Sequence, residues 1–163
     1  MNNQQIDSST DSFEVGLLSY KIIGWSCVIF FAGCSIGAFM SKQYGPISVF
    51  AFFILMGTYM ILAGGHFSLN SQAITHHNIF GTYRLPWNEI EQIEVGIADD
   101  TIVLHGANKR FVVAPPSMWS GSKKTAAFAL LQKKLESIGI TPYPSNTAAY
   151  KVHKNVRVKN QHI

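Results

Sequence analysis

At 163 residues the chain has room for roughly one ordinary domain plus attachments, and its 47% apolar fraction alone would suit a soluble protein. The distribution excludes a single solvent for the whole chain: Ile22 to Gly65 carries one charged residue, Lys42, whereas Glu89 to Asp100 and Lys109 to Lys159 hold most of the charge. The net charge of +4 suits anionic lipid or an acidic partner, and beside so long an apolar segment no nucleic-acid partner is expected.

Residues 1–20 open the chain as a polar tail, with Met1 to Ser12 read as disordered. Lys21 is the only cation before the first apolar run, and Phe39-Met40-Ser41-Lys42 is a poor cleavage site, so the run reads as a retained anchor rather than a signal peptide. Ile22 to Met40 is uncharged and about twenty residues long, enough at 1.5 Å per residue to cross a hydrocarbon core of roughly 30 Å. Lys21 and Trp25 suit one interface, Lys42 and Tyr44 the other. Gly45-Pro46 breaks the helix, and Ile47 to Ala63 is again uncharged and of spanning length. Residues 21–65 therefore predict an antiparallel transmembrane hairpin, with both chain ends on one side of the membrane. The connection carries one cation and the segment after Gly65 carries eleven, which favours the cytoplasmic side for both ends.

Within the hairpin, Cys27 and Cys34 lie about 10 Å apart along a helix axis, too far to bridge, and read as small packing residues. Gly33-Cys34-Ser35-Ile36-Gly37 is a Gly-x-x-x-Gly, a spacing that lets two helix backbones approach closely. Gly33 and Gly37 are expected to pack on the second helix, with another protomer or a partner membrane protein as the alternatives. No charge lies inside either span, which argues against a transporter or proton relay.

After Gly65 the period changes to two. Strands are predicted over His66 to Leu69, Ala73 to Phe80, Tyr83 to Trp87, a segment ending at Val95, Thr101 to His105, and Lys109 to Val113. Turn signals at Asn70-Ser71, Gly81, Asp99-Asp100 and Gly106-Ala107-Asn108 separate them into an antiparallel meander. Ile90 is out of step with Ile93 and Val95, which predicts a helical turn before that strand. Pro115-Pro116 ends the sheet. Ser122 is the expected N-cap of a helix over Lys123 to Ile138, where Phe128, Leu131, Leu135 and Ile138 form one apolar stripe and Gly139 is the stop. The domain is thus read over residues 66–140, with a basic tail over 141–163. In that tail, Tyr150 to Lys159 alternates cations with β-branched residues and either adds a strand to a sheet edge, lies on anionic lipid, or is solvated.

No catalytic constellation emerges. His76 and His77 are adjacent and point to opposite faces of a strand; His66, His105, His153 and His162 fall in no ligand spacing, so surface or turn histidines are expected and no metal or other cofactor. Glu89, Glu91 and Glu94 read as a charged strand face. Arg84, Lys109, Arg110, Lys123 and Lys124 are the candidates for a basic face towards lipid or a protein partner.

Two apolar helices, strands, the segment Pro86-Trp87-Asn88-Glu89-Ile90-Glu91-Gln92-Ile93-Glu94-Val95, the strands Thr101-Ile102-Val103-Leu104 and Lys109-Arg110-Phe111-Val112-Val113, and a closing Leu130-Leu131-Gln132-Lys133-Lys134-Leu135 before Gly139-Ile140 together resemble the bacterial pleckstrin-homology-like membrane proteins. The resemblance covers residues 20–140 as a pattern rather than an invariant motif. It implies a membrane hairpin joined to an α+β domain, a split barrel of about seven antiparallel strands closed by a C-terminal helix. It also implies an inner-membrane, non-enzymatic scaffold that binds a protein partner or a second copy. Six strands are read here, one short of that pattern. Phosphoinositide binding in the eukaryotic relatives needs basic residues in the first strand-loop-strand unit, and residues 66–83 contain neither Lys nor Arg. An anionic-lipid sensor and an assembly subunit of a larger membrane complex are the alternatives.

Overall fold

A computed structural model describes residues 12–158 of the chain. The tail read over residues 1–11 and the positions from Lys159 onward, His162 among them, lie outside it.

Two helices, α1 (Leu18–Met40) and α2 (Gly45–Gly64), are each long and apolar enough to cross a membrane. Pro46 sits in the first turn of α2, where its missing N–H has no intrahelical partner to lose. The helices lie side by side, yet only Gly24 of α1 and Gly57 and Gly64 of α2 are buried. Large apolar side chains such as Ile29, Phe30, Phe52 and Leu55 point away from protein. A core helix of a soluble protein would bury that stripe. The few hydroxyls bond within their own helix, Ser35 Oγ to Phe31 O and Thr58 Oγ1 to Ile54 O, both at 2.8 Å.

The close approach of the helices does not use the Gly-x-x-x-Gly. A Cβ at Gly24 would lie 2.7 Å from Gly57 O, and one at Gly57 would lie 2.8 Å from Gly24 O. Only glycine fits at that crossing. Gly33 and Gly37 have nothing within 4 Å of a built Cβ, so the expectation that they pack on the second helix is corrected: their face of α1 is open. The glycine that matters on α1 is the one nearest the domain, where both helices must converge onto adjacent strands.

Those strands are β1 (Phe13–Gly16) and β2 (His66–Leu69), paired antiparallel with Gly16 opposite His66. They run directly into α1 and out of α2. β3 (Ala73–Asn78) and β4 (Gly81–Pro86) complete a sheet in the order β1-β2-β3-β4. The turn between β2 and β3 is made by Asn70, whose Oδ1 accepts from the backbone N–H groups of Gln72 and Ala73, both at 2.9 Å. A 3-10 turn over Trp87–Glu89 then supplies the helical turn expected before the next strand. The second sheet holds β5 (Gln92–Gly96), β6 (Ile102–Gly106), β7 (Lys109–Val113) and β8 (Tyr143–Ser145), in the order β7-β6-β5-β8. All neighbours are antiparallel except β8, which is parallel to β5.

Helix α3 (Lys124–Ile138) lays Ala127 and Leu131 into a core shared with Phe67, Leu69, Ile93, Leu104, Phe111 and Trp119. Its N-cap position is Lys123, with no side-chain cap, so Ser122 does not play the capping role expected of it. Gly139 does end the helix, in the left-handed conformation.

Structure extends past both limits read from periodicity. β1 lies within residues 1–20, and β8 and the segment after it lie beyond 140. Residues 151–158 run along the β4 edge of the first sheet and the β7 edge of the second. Arg110 exchanges backbone hydrogen bonds with Lys154 at 2.9 and 2.8 Å, while Arg84 N–H donates to Val156 O and Val158 N–H to Thr82 O, both at 2.8 Å. These are isolated bridges, not a continuous ladder, and the two sheets are not joined into a closed barrel. Of the three readings of this segment, the added edge strand is the one its backbone follows. Val156 drops into the core.

Candidate functional site at the junction of hairpin and domain

Where the helices meet the domain the chain leaves a cavity of about 510 Å³. Tyr20 and Tyr59 line it from the helices, Phe67 and His76 from the first sheet, Asp99 from the β5–β6 turn, and His153 from the C-terminal segment. The domain is held in register here by Gly65, whose φ of 56° lies in the left-handed region. A Cβ at that position would collide with His77 O. Asn78 Nδ2 adds a bond to Ala63 O at 3.4 Å.

Alternation on β3 sends His76 inward and His77 outward. His77 stacks on His66 with ring centroids 5.0 Å apart, and its Nδ1 lies 3.0 Å from Thr82 Oγ1. His76 is buried, and its Nδ1 lies 3.0 Å from His153 Nε2. The expectation of surface histidines therefore fails for this pair. Both ends of the pair settle where the protons sit. Val112 N–H can only donate, so His153 Nδ1 accepts from it at 3.2 Å. Gly64 O can only accept, so His76 Nε2 carries the proton it shares with that carbonyl at 3.3 Å. The bond between the rings then runs from His153 Nε2–H to His76 Nδ1.

The result is a chain of neutral donors from β7 through the segment 151–158 to the last residue of α2. Burial disfavours the charged form of each ring; His76 further disfavours charge on His153, as His66 and His77 do on His76. His153 is pushed down to about 3, and His76 is lowered despite its bond to the Gly64 carbonyl. His153 also stacks on Tyr83, with centroids 4.5 Å apart, and packs on Phe111. Both ring lone pairs are occupied within the relay, so the cavity wall presents ring edges rather than a free base.

A second polar cluster lies on β5. Glu94, expected on a charged strand face, is 0% exposed. Lys151 Nζ donates to both its oxygens, at 2.6 and 2.5 Å; His105 Nε2 lies 2.8 Å from Oε2 and Tyr143 O–H donates to it at 3.2 Å. Burial alone would raise this carboxyl, but the hydrogen bonds from Lys151, Ser145 and His105 outweigh it and hold the pKa at about 2. Both faces of β5 are covered, one by the core and the other by the segment from Lys151, while β8 pairs along its edge. Sequence alternation could not register the second cover, because the covering residues lie some fifty positions away. The ion pair staples that segment to the second sheet, which in turn places His153.

The basic candidates separate into two groups. Asn78, at the end of β3, touches α2, and Gly16 exchanges backbone hydrogen bonds with Ser120 at 2.9 Å, so these positions mark the hairpin end of the domain. Lys123 and Lys124 follow Ser120 as the chain runs back along β1, with Lys123 Nζ 6.0 Å from the ring centroid of Phe13, the residue of β1 farthest from α1. Lys109 and Arg110 begin β7 at the opposite end, where Lys109 pairs with Glu89 at 2.5 Å and Arg110 Nε donates to Val152 O at 2.8 Å. Arg84 is exposed in the middle of β4, opposite Thr75. The five do not form one face.

Comparison with known proteins returns no matching family, no matching curated protein and no matching solved structure.

Proposed function

We propose that the chain is a membrane-anchored, non-enzymatic interaction module: α1 and α2 span the bilayer and hold a pleckstrin-homology-like domain against its cytoplasmic face, where the domain binds a protein partner. The observation that carries this reading is the direct continuation of two paired strands into two helices whose apolar faces are exposed. Lipid is the solvent that satisfies such faces. Two antiparallel-rich sheets with a helix packed on their core accord with the α+β architecture that the resemblance implies, and β1 adds a strand that periodicity left unread. A domain fixed in this way meets partners at raised local concentration, so a weak binding face suffices.

Cytoplasmic placement is supported by Lys21 at the start of α1 and by the eleven cations after Gly65, against Lys42 alone in the other connection. The same excess of cations favours contact with anionic headgroups as a second reading. The end bearing Lys109 and Arg110 faces away from the membrane and is left for the partner.

Purification of the full-length protein in mild detergent, with native mass determination, tests the partner reading. A stoichiometric partner is expected, and it should be lost on swapping one exposed ion pair, K109E with E89K, which inverts the surface while keeping the bond. A lone chain in both samples, with strong salt-sensitive binding to anionic vesicles, would favour the lipid reading instead.

A further inference from the structure

The β3–β4 connection has two residues, Ile79 and Phe80, between Asn78 and Gly81. Two-residue hairpin loops are normally built from Asn, Gly and Asp, because the tip is solvated and its backbone often needs positive φ. Here the tip carries two large apolar side chains, 67% and 43% exposed, and neither has positive φ. Nothing in the turn geometry calls for them.

Their position does. Phe80 lies against Tyr59 of α2 with ring centroids 5.8 Å apart. Tyr59 precedes the last residue of α2, Gly64, by more than one helical turn, so the tip reaches about 7 Å along the helix past the point where the domain begins. On α1 the neighbouring level is marked by Trp25, beside the Gly24–Gly57 crossing. Trp25, Tyr59 and Phe80 thus form an aromatic band at one depth, the arrangement favoured between headgroups and acyl chains. The tip is held there by Asn78, which donates to Ala63 O and accepts from Phe80 N–H at 2.9 Å. Behind it the Arg157 guanidinium lies over Gly81, at the level where phosphates would stand.

We propose that the Ile79–Phe80 tip inserts into the headgroup–acyl boundary of the bilayer crossed by α1 and α2, as a third contact that fixes the tilt of the domain on the membrane. This rests on the membrane reading above. Two helices joined to adjacent strands leave the domain free to rock about the line between them, and a wedge beside α2 removes that freedom.

The test uses the full chain with Cys27→Ser and Cys34→Ser, reconstituted in vesicles of phosphatidylcholine and phosphatidylglycerol. A fluorophore is attached at one cysteine, Ile79→Cys, Phe52→Cys or Asn108→Cys, and quenched by aqueous iodide or by lipids with a shallow nitroxide. The label at 79 is expected to be quenched by the shallow nitroxide and to be at least about threefold less sensitive to iodide than the label at 108, as befits the interfacial zone. Iodide quenching at 79 equal to that at 108, with 52 protected, overturns the wedge while leaving the spans intact. Iodide access at 52 as well would overturn both.

Discussion

His153 donates through Nε2 to Nδ1 of His76 at 3.0 Å, across 77 positions of sequence. That bond ties the C-terminal segment to the sheet that carries the helices, and it needs His76 neutral so that its Nδ1 can accept.

The first prediction is therefore a dependence on pH. Both histidines have native pKa values below the ordinary 6.5, so the unfolded chain takes up protons that the folded one refuses. Stability is complete above about pH 6.5 and is lost as pH falls towards the native value of about 3. For His153 the slope approaches ~1.4 kcal/mol per pH unit between those values, and His76 adds to it in the same direction. Thermal unfolding in mild detergent, followed by near-UV circular dichroism, should show a melting temperature falling from neutral pH to about pH 5, ahead of any carboxylate effect.

His153→Phe keeps a ring against Tyr83 and Phe111 but leaves Val112 N–H and His76 Nδ1 without partners. The expected cost at about pH 8 is 1–3 kcal/mol. The slope between about pH 6.5 and 4.5 should also fall. An unchanged slope would show that the relay is not what titrates.

Lys151→Met strips the buried Glu94 carboxylate of its two shortest hydrogen bonds. Removing one member of a buried ion pair costs about 3–5 kcal/mol. The lower end is expected, because the Lys151 side chain keeps a quarter of its surface in solvent. In the intact protein the stabilisation from Glu94 is present above the ordinary carboxyl value of 4.5 and is lost as pH falls through about 2. In Lys151→Met the native value rises towards 4.5, so that acid-dependent loss should shrink, readable as a shallower fall of stability between about pH 4.5 and 2.

At the helix crossing, Gly57→Val should lower the melting temperature of the full chain, because the added carbons meet the Gly24 carbonyl and Val28. Gly33→Val should leave it within the scatter of neutral surface changes, about 0.5 kcal/mol. Equal destabilisation by both would mean that α1 turns a different face to α2.

The apolar helices were legible because lipid-length runs without charge leave a signal that no turn or strand imitates. Most strand segments were legible for a similar reason, since β2, β6 and β7 are bounded by local turn chemistry. What was not legible came from distant pairing. β1 is four residues with a glutamate at Glu14, and its partner lies beyond the whole hairpin. β8 contains Pro144, which argues against a strand unless the strand is an edge, as it is here. Glu94 and the His76–His153 pair followed the same rule: each was visible as a residue, but its cover and its partner arrive from 151–153. The Gly-x-x-x-Gly pattern gave the opposite error, a local signal with no neighbour in the hairpin, while Gly24 and Gly57 form the crossing without belonging to any motif.

The proposed topology has α1 and α2 as membrane spans with the domain on the cytoplasmic side. Single cysteines at Gln43→Cys, between the helices, and Asn108→Cys, at the far end of the domain, in the Cys27→Ser, Cys34→Ser background test it most directly. With a membrane-impermeant maleimide, position 43 should react in intact cells and position 108 only after permeabilisation. Labelling of both positions only after lysis, or of position 108 alone in intact cells, would contradict it.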